Sequence, residues 1–179
     1  MILAVDVQYL NESAHVAGIA FDSWEDEEAQ KEYTSFVKKV EPYEPGFFYK
    51  RELPCILALL EEFSLKPNVI IVDGHVYLDG KSRPGLGKRL YDALVDKPEI
   101  IGVAKKSYAD LESGHEIFRG KSKKPLYITT TGNLELAKSS IKNMFGKNRI
   151  PVLLKQVDQL CREEANKSKH TDSVNAAGV

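Results

Sequence analysis

Residues 2–7 read Ile2-Leu3-Ala4-Val5-Asp6-Val7, an apolar run interrupted once by an aspartate. Such a run is typical of a strand that is buried on both faces of a sheet. An unpaired carboxylate there is strongly unfavourable, so Asp6 is expected to be neutralised, to find a partner or to bind a cation. The stretch therefore predicts a central strand that carries one polar group in need of a partner.

A second apolar run ends in the same residue type. Residues 69–72 are all Val or Ile, and Asp73, Gly74 and His75 follow directly. Two apolar strands that each carry an aspartate can place both carboxylates at one edge of a shared sheet. Carboxylate oxygens are the ligands that hard divalent cations prefer. We therefore interpret this edge as a candidate metal site, to which the rest of the chain brings nucleic acid.

The periodicity of the remaining chain predicts an α/β fold with a mixed sheet, in which three antiparallel strands precede parallel strands flanked by helices. Strands are expected at residues 15–21, 33–40, 69–73, 99–103 and 126–130, and helices at 50–63, 88–95, 134–144 and 152–165. Residues 107–124 are interpreted as a short hairpin with bends at Gly114 and Gly120. We expect one domain over residues 1–165 and a flexible tail over residues 166–179.

The formal net charge of −1 hides a division along the chain. Residues 1–80 hold 6 Lys and Arg against 15 Asp and Glu, a net of −9, whereas residues 81–149 hold 15 against 7, a net of +8. An acidic part that contains candidate metal ligands and a basic part that can meet phosphates favour a nuclease. The alternative is two solvated surfaces that differ in sign without a functional reason.

Composition also bears on the compartment. The sequence contains no apolar run of the length that a membrane span needs, and its first residues lack the pattern of a signal peptide. Cys55 and Cys161 lie far apart inside predicted helices, as expected of buried free thiols in a reducing environment. We therefore expect a cytoplasmic protein with no membrane association and no obligate protein partner.

Six short motifs occur in a characteristic order between Met1 and about residue 145. They are Val5–Tyr9, Pro42–Phe47, Arg51–Pro54, Val72–His75, Gly102–Lys106 and Thr131–Asn133. Together they resemble the endonuclease V family, which nicks nucleic acid near inosine, the deaminated form of adenine. The resemblance implies an RNase H-like fold. It also implies a metal-dependent endonuclease that acts on DNA or RNA at the second phosphodiester 3′ to inosine and leaves 3′-hydroxyl and 5′-phosphate ends.

The same resemblance implies a set of catalytic residues. Asp6, Glu52 and Asp73 match the acidic ligands of Mg²⁺, for which Mn²⁺ can substitute, and Lys105 matches a lysine beside the scissile phosphate. Taken singly, each acid also has a plainer interpretation: Asp6 as a satisfied core polar group, Glu52 as a first-turn helix charge, and Asp73 as a strand-end cap. Lys105 taken alone is a solvated lysine at a strand end.

Other residues match the family's nucleic-acid contacts. The turn containing Pro42, Tyr43, Pro45 and Gly46 resembles a wedge that enters the duplex where the base leaves the stack, although an ordinary Pro-Gly turn is the alternative. Arg51 is either a backbone contact or a solvated helix residue. Gly74 and His75 match residues beside the base pocket, and Asn133 takes the place of a family histidine near the metal, although it also suits a helix N-cap.

Three positions depart from the family pattern. Glu44 places a carboxylate in the wedge, Val76 replaces a glycine, and Asn133 cannot ligate or transfer a proton as imidazole does. These departures leave two alternatives open: a nuclease selective for distorted structures without a preference for inosine, and a nucleic-acid-binding module that has lost catalysis. A nucleotide site at Gly85-Leu86-Gly87 is a weaker hypothesis, because a lone pair of glycines is more often a turn.

Overall fold

The computed structural model describes residues 1–47 and 49–176, with side chains up to residue 169. Its strands are β1 (Ile2–Leu10), β2 (Ser13–Phe21), β3 (Lys31–Val37), β4 (Val69–Asp73), β5 (Glu99–Ala104), β6 (Glu116–Ile117) and β7 (Leu126–Thr130). Its helices are α1 (Tyr49–Glu62), α2 (Leu86–Ala93), α3 (Leu134–Asn143) and α4 (Val152–Ala176). Every strand and helix predicted from the sequence is present, with boundaries that differ by a few residues except at the end of α4.

The seven strands form one mixed sheet in the order β3-β2-β1-β4-β5-β7-β6. The first three strands are an antiparallel meander, and β4 and β5 continue from β1 in parallel. The three parallel strands are the most continuously apolar ones, because helices cover both of their faces. The mixed α/β sheet expected from the sequence is therefore confirmed.

Two hydrophobic clusters fill the space between the sheet and the helices. Leu3, Val5 and Ile70 point to one face, where they pack with α1 and α2. Ala4 and Ile71 point to the other face, where they pack with α3 and α4. Because side chains alternate along a strand, the central strands need apolar residues at consecutive positions to supply both clusters. The apolar runs found in the sequence meet this need.

The last two strands differ from the simple expectation of further parallel strands. β7 runs antiparallel to β5, and β6 pairs with β7 in a small hairpin. The segment between β5 and β7 contains no crossover helix and stays at the edge where β5 ends, so β7 has to run back along β5. The bends predicted at Gly114 and Gly120 are present, with φ values of 100° and 59°.

Helix α4 extends beyond its predicted end at Ala165 and continues to Ala176. The apolar stripe on this helix consists of Leu153, Val157, Cys161 and Ala165, all of them buried. The periodic signal ends with the last buried position, although the backbone continues as a helix through polar residues. A flexible tail over residues 166–179 and a single domain over residues 1–165 stay predictions, and residues 177–179 lie outside the described part of the chain.

Two further expectations concern the environment of the protein. In the part of the chain that the structure describes, no helix is both long and apolar enough to cross a bilayer. Cys55 and Cys161 are buried and unpaired, as predicted.

Candidate active site

Strand register places Asp6 and Asp73 beside each other. β1 and β4 are parallel, and Val5 pairs with Val72, so the next residue on each strand is an aspartate at the carboxyl end of the parallel sheet. Both side chains line a cavity of about 390 Å³ between the sheet and α4. The structure thus brings together the two acids that the two apolar runs carry.

Glu52 approaches the same edge from α1, which covers the other face of the sheet. Burial is the main cause that raises the pKa of Glu52 to about 8, and the charges of Asp6 and Asp73 add to it. Burial and the charge of Asp73 likewise raise the pKa of Asp6 to about 7. The three acids are therefore close enough for their negative charges to oppose one another.

A fourth acid, Asp158 of α4, belongs to the same group, and sequence reasoning missed it. Its charge contributes to raising the pKa of Asp6, and its side chain lines the same cavity. Arg162, one turn further along α4, donates from Nε to Oδ1 of Asp158 at 3.0 Å. The sequence shows a Lys155, Asp158, Arg162 pattern at helical spacing, but nothing in it indicates that this face docks against β1.

Lys105 lies just beyond β5 and contacts the acids directly. Its Nζ donates to Oδ2 of Asp73 at 2.6 Å. Burial lowers the pKa of Lys105, but the hydrogen bond with Asp73 and the charges of Asp73, Asp158 and Asp6 outweigh burial, so the net pKa is raised. Lys105 therefore stays cationic at neutral pH, as a residue that contacts a phosphate should.

The chemistry of this donor set fits a hard divalent cation. Within residues 1–47 and 49–169, no three His, Cys, Asp or Glu side chains stand in an arrangement that could hold a metal ion, and Asp73 is paired with Lys105. However, the group consists of carboxylates alone, without thiolate or imidazole, which is the donor type that Mg²⁺ and Mn²⁺ prefer. A cation among them would also relieve the repulsion that raises the pKa values of Asp6 and Glu52.

Gly74, His75 and Val76 follow Asp73 at this edge. Gly74 has a φ of 145°, a conformation that favours glycine. Nε2 of His75 lies 3.1 Å from the carbonyl oxygen of Lys106, and Nδ1 is buried without a hydrogen-bond partner among the described residues. Val76 is fully buried in the core under α2, so its side chain acts first as a packing residue.

The predicted wedge is an exposed turn. Tyr43 has 66% of its surface exposed, and Pro42, Pro45 and Gly46 are exposed as well, with Gly46 at a φ of 81°. Glu44, the unexpected acid in this turn, forms an ion pair with Lys50 at 2.7 Å. Its charge is thus partly neutralised within the turn, which weakens the expected repulsion between Glu44 and a phosphate.

Arg51 is neither freely solvated nor fully buried. Its guanidinium carbon lies 4.1 Å from the centre of the Tyr9 ring, an arrangement that favours a cation–π interaction. Nε of Arg51 and the hydroxyl of Tyr9 are both buried without a partner among the described residues. Since Tyr9 lies near Glu52, whose charge contributes to raising the pKa of Tyr9, Arg51 belongs to the surroundings of the acidic edge.

Asn133 is not brought to the acids. Thr130 pairs with Ile101, and the backbone N–H of Thr131 donates to Ile100, so β7 ends where β5 begins. Asp73 instead pairs with Val103 near the other end of β5. Asn133 accepts a hydrogen bond from the backbone of Leu136 at 3.0 Å and caps α3, as its alternative interpretation predicted. The Asn133 position therefore has no direct bearing on the acidic group.

Gly85 and Gly87 serve close packing. A Cβ atom on Gly85 would lie 2.3 Å from the carbonyl oxygen of His75, and one on Gly87 would lie 2.7 Å from Cγ2 of Val76. Both glycines let the start of α2 approach the segment after β4. This arrangement agrees with the turn interpretation and gives no support to a nucleotide site.

Comparison with known proteins gives a consistent result. A family model described as Endonuclease V matches residues 1–145. The fold is similar to that of endonuclease V from Ciona intestinalis, solved with a 24mer DNA containing an inosine followed by a ribo-adenosine, at 21% identity and a TM-score of 0.74 over 93% of this chain and 86% of that one. Endonuclease V from Streptomyces avermitilis is 25% identical, with a TM-score of 0.72 over 94% of this chain and 82% of that one. The catalytic domain of human endonuclease V is 24% identical, with a TM-score of 0.71 over 94% of this chain and 83% of that one. The mixed sheet is thus the RNase H-like fold of these structures.

Proposed function

The chain belongs to the endonuclease V family, and on that premise we propose that it is a Mg²⁺-dependent endonuclease that hydrolyses a phosphodiester near inosine in DNA or RNA. The proposal includes the position of cleavage that the family resemblance implies, at the second phosphodiester 3′ to inosine. The Ciona intestinalis relative was solved with inosine-containing DNA, which supports inosine as the feature to test first.

The observation that carries this proposal is the meeting of Asp6 and Asp73 at the carboxyl end of two parallel strands, with Glu52 and Asp158 converging from opposite faces. Two of these acids have pKa values raised to about 7 and about 8, so the arrangement is costly for folding alone. Asp6 also lines the cavity beside α4, and a perturbed carboxyl group in a cleft is a recognised mark of a functional site.

Asp6, Glu52 and Asp73 are the residues that would hold Mg²⁺ or Mn²⁺, and Asp158 is placed to assist them. A bound cation of this kind lowers the pKa of water and stabilises charge on a phosphate. Lys105 contributes a positive charge at the same place, and its Nζ needs only to leave Asp73 to reach a phosphate oxygen. In this proposal the acids would hold the cation, and the cation and Lys105 together would bind the phosphate.

The exposed turn containing Pro42, Tyr43, Pro45 and Gly46 is proposed to enter the duplex beside the inosine. An aromatic ring that is 66% exposed on a turn stiffened by two prolines is suited to filling a gap in a base stack. Gly74 and His75 directly follow Asp73 at the end of β4, and they are proposed to border the extruded base. Arg51, stacked on Tyr9, is proposed to contact the backbone of the nucleic-acid strand near Glu52.

The test is nicking of a labelled oligonucleotide with one inosine, in Mg²⁺ and in Mn²⁺, beside the same oligonucleotide with adenine. RNA and DNA versions decide the sugar preference, and mismatch and flap substrates measure selectivity for distortion alone. We expect a nick near inosine that chelation abolishes and that Asp73→Asn removes. Equal cleavage of inosine and flap substrates would favour the structure-selective alternative, and no cleavage by the wild type would contradict the proposal.

The alternative of a non-catalytic binding module rested on Glu44, Val76 and Asn133. The structure weakens each of these grounds: Glu44 is ion-paired, Val76 packs in the core, and Asn133 lies away from the acids. Calorimetric titration with Mn²⁺ separates the two functions, because the proposed enzyme binds the ion and Asp6→Ala abolishes binding. The buried thiols of Cys55 and Cys161 suit a reducing compartment, so we propose that the enzyme works in the cytoplasm.

A further inference from the structure

Two segments in and just after the basic part of the chain contain no acidic residue. Residues 117–134 contain four Lys or Arg, and residues 136–157 contain five, with no Asp or Glu in either segment. The first segment includes the loop between β6 and β7, and the second connects α3 to α4. Such composition is unusual on a surface where charges of both signs normally alternate.

Both segments emerge at the edge of the sheet that carries the acids. Ala104 pairs with Tyr127, so the loop that precedes β7 leaves the sheet where β5 ends and Lys105 begins. The guanidinium of Arg149 donates to the carbonyl oxygens of Lys105 at 2.7 Å and Pro125 at 2.6 Å. One side chain thus ties both basic segments to the residue that contacts Asp73.

The two segments are also held together as one rigid unit by Arg119. This side chain is 5% exposed, and within the described part of the chain its guanidinium donates only to backbone carbonyl oxygens. The acceptors are Lys142, Met144, Gly146, Asn148 and Arg149. The adjacent Gly120, at a φ of 59°, lies so close to Lys147 that an added Cβ would be 2.3 Å from its carbonyl oxygen. The loops therefore have a fixed relative position.

Four exposed lysines, Lys121, Lys123, Lys124 and Lys147, lie on this unit and are called the lysine ridge below. Among the described residues none of the four forms an ion pair, and the carbonyls that bind Arg119 leave its positive charge uncompensated beneath them. Like charges held together without a counter-charge repel each other and weaken folding. A polyanion that lies along the surface would remove this repulsion.

We propose that the lysine ridge binds the phosphate backbone of the nucleic-acid strand beyond the cleavage site, independently of base sequence. The proposal rests on the proposed function, since it extends the path of the strand from Lys105 past Arg149 to Lys147. Lysine suits this role because it acts as a point charge toward phosphates without requiring a base. The ridge supplies affinity and register, whereas the acidic edge supplies chemistry.

The test measures binding of an inosine-free single-stranded oligonucleotide as a function of salt, without divalent cations. Each phosphate neutralised by a lysine adds about 0.7 to the slope of log affinity against log salt for a single strand. The variant Lys121→Gln, Lys123→Gln, Lys124→Gln should lower that slope by about 2 and weaken binding at low salt by about tenfold or more. Lengthening the oligonucleotide should strengthen binding to the wild type more than to this variant.

A matched control removes three lysines from the other end of the sheet. Lys31 begins β3, and Lys66 and Lys97 precede β4 and β5, so all three are exposed at the edge opposite the acids. The variant Lys31→Gln, Lys66→Gln, Lys97→Gln has the same net charge as the ridge variant and should keep the wild-type slope. Urea unfolding of both triple variants, and of the single variant Lys147→Gln, shows whether a change in the salt slope is due to misfolding.

Equal slopes for the two triple variants, or no binding by the wild type, would overturn the proposal. The inosine nicking assay distinguishes failure of the lysine-ridge proposal from failure of the proposed function. If the wild type nicks inosine and the ridge variant keeps the full salt slope, the ridge is wrong and the enzyme stands. If the ridge variant loses slope and the wild type nicks nothing, the ridge is supported and the enzyme is wrong.

Discussion

The two ends of the parallel strands carry polar side chains of similar type in opposite situations. Where β5 begins, Glu99 accepts from the Thr130 hydroxyl at 2.8 Å, Thr131 accepts from the backbone of Ile100, and Asn133 caps α3. Where the parallel strands end, carboxyl groups face one another, with Asp6 and Asp73 opposed by Glu52 and Asp158. One end has its hydrogen bonds satisfied and the other has its charges in conflict.

The difference shows how to separate structural from functional polar groups on one sheet. Satisfied hydrogen bonds at the Asn133 end contribute to folding and need no ligand. Repulsion among carboxylates weakens folding, so its presence at the Asp73 end indicates a functional role, namely binding a cation and a substrate. Each of the following predictions compares the two ends, beginning with the largest expected effect.

Removing one carboxylate from each end should have very different effects on activity. Asp73→Asn is expected to lower inosine nicking by about 10³-fold or more, since several kcal/mol of electrostatic stabilisation correspond to that factor. Glu99→Gln retains an acceptor for Thr130 and should stay within about threefold of the wild type. Single-turnover nicking rates measure both, and equal losses would mean that the two ends do not differ in function.

The affinity for Mn²⁺ should increase with pH. Asp6 and Glu52, with pKa values of about 7 and about 8, are protonated at pH 6 and ionised at pH 9, and a bound cation competes with those protons. Between these limits we expect a rise of about tenfold per pH unit for each proton displaced. Calorimetry at pH 6, 7.5 and 9 measures this slope, and Asp6→Asn should reduce it. A pH-independent affinity would contradict the raised pKa values.

The metal-free protein should become less stable as pH rises. The pKa of Asp6 is raised from 3.8 to about 7 in the folded chain, so folding is favoured while the group is protonated and loses that advantage as pH increases through about 7. Asp6→Asn should therefore be more stable than the wild type by on the order of 2 kcal/mol at pH 8 and similar to it at pH 4. Urea unfolding with a chelator measures both values. A less stable Asp6→Asn at pH 8 would show that this carboxylate supports the fold.

At the other end, substitution of Asn133 should affect stability alone. Asn133→Ala removes the N-cap of α3 and should cost about 1 kcal/mol of unfolding free energy, whereas Asn133→Ser keeps a capping oxygen and should cost less. Restoring the family residue with Asn133→His should leave nicking within about threefold of the wild type. A large gain in nicking by Asn133→His would show that this end of the sheet takes part in catalysis.

Much of the fold was accessible from the sequence because the central strands are apolar at consecutive positions. The runs that lead to Asp6 and Asp73 predict two strands of one shared sheet, and the structure pairs them in parallel, in the register that aligns the two acids. The end of α4 was less accessible, since its apolar stripe ends at Ala165 while its backbone hydrogen bonds continue to Ala176. Burial produces periodicity, and a helix that continues beyond the core carries no such signal.

The candidate site was accessible in part for a related reason. Asp158 lies 152 residues after Asp6 in the chain, and only the docking of α4 on the sheet brings both side chains to one cavity. The position of Asn133 was misjudged because a motif fixes the order of residues but not the direction of the strand before it. β7 runs antiparallel to β5 and carries Asn133 away from the acids.

The amino-acid sequence by itself determined the buried strands, the two aspartates at their ends and the family, because apolar periodicity and short motifs are local properties of the chain. The tertiary structure alone decided that Asp158 joins the other acids, that Lys105 pairs with Asp73, and that Arg119 joins two basic loops into one surface. These contacts join residues far apart in the chain, so they depend on how helices dock and strands turn. Electrostatic energy depends on distances in space, and the folded chain sets those distances.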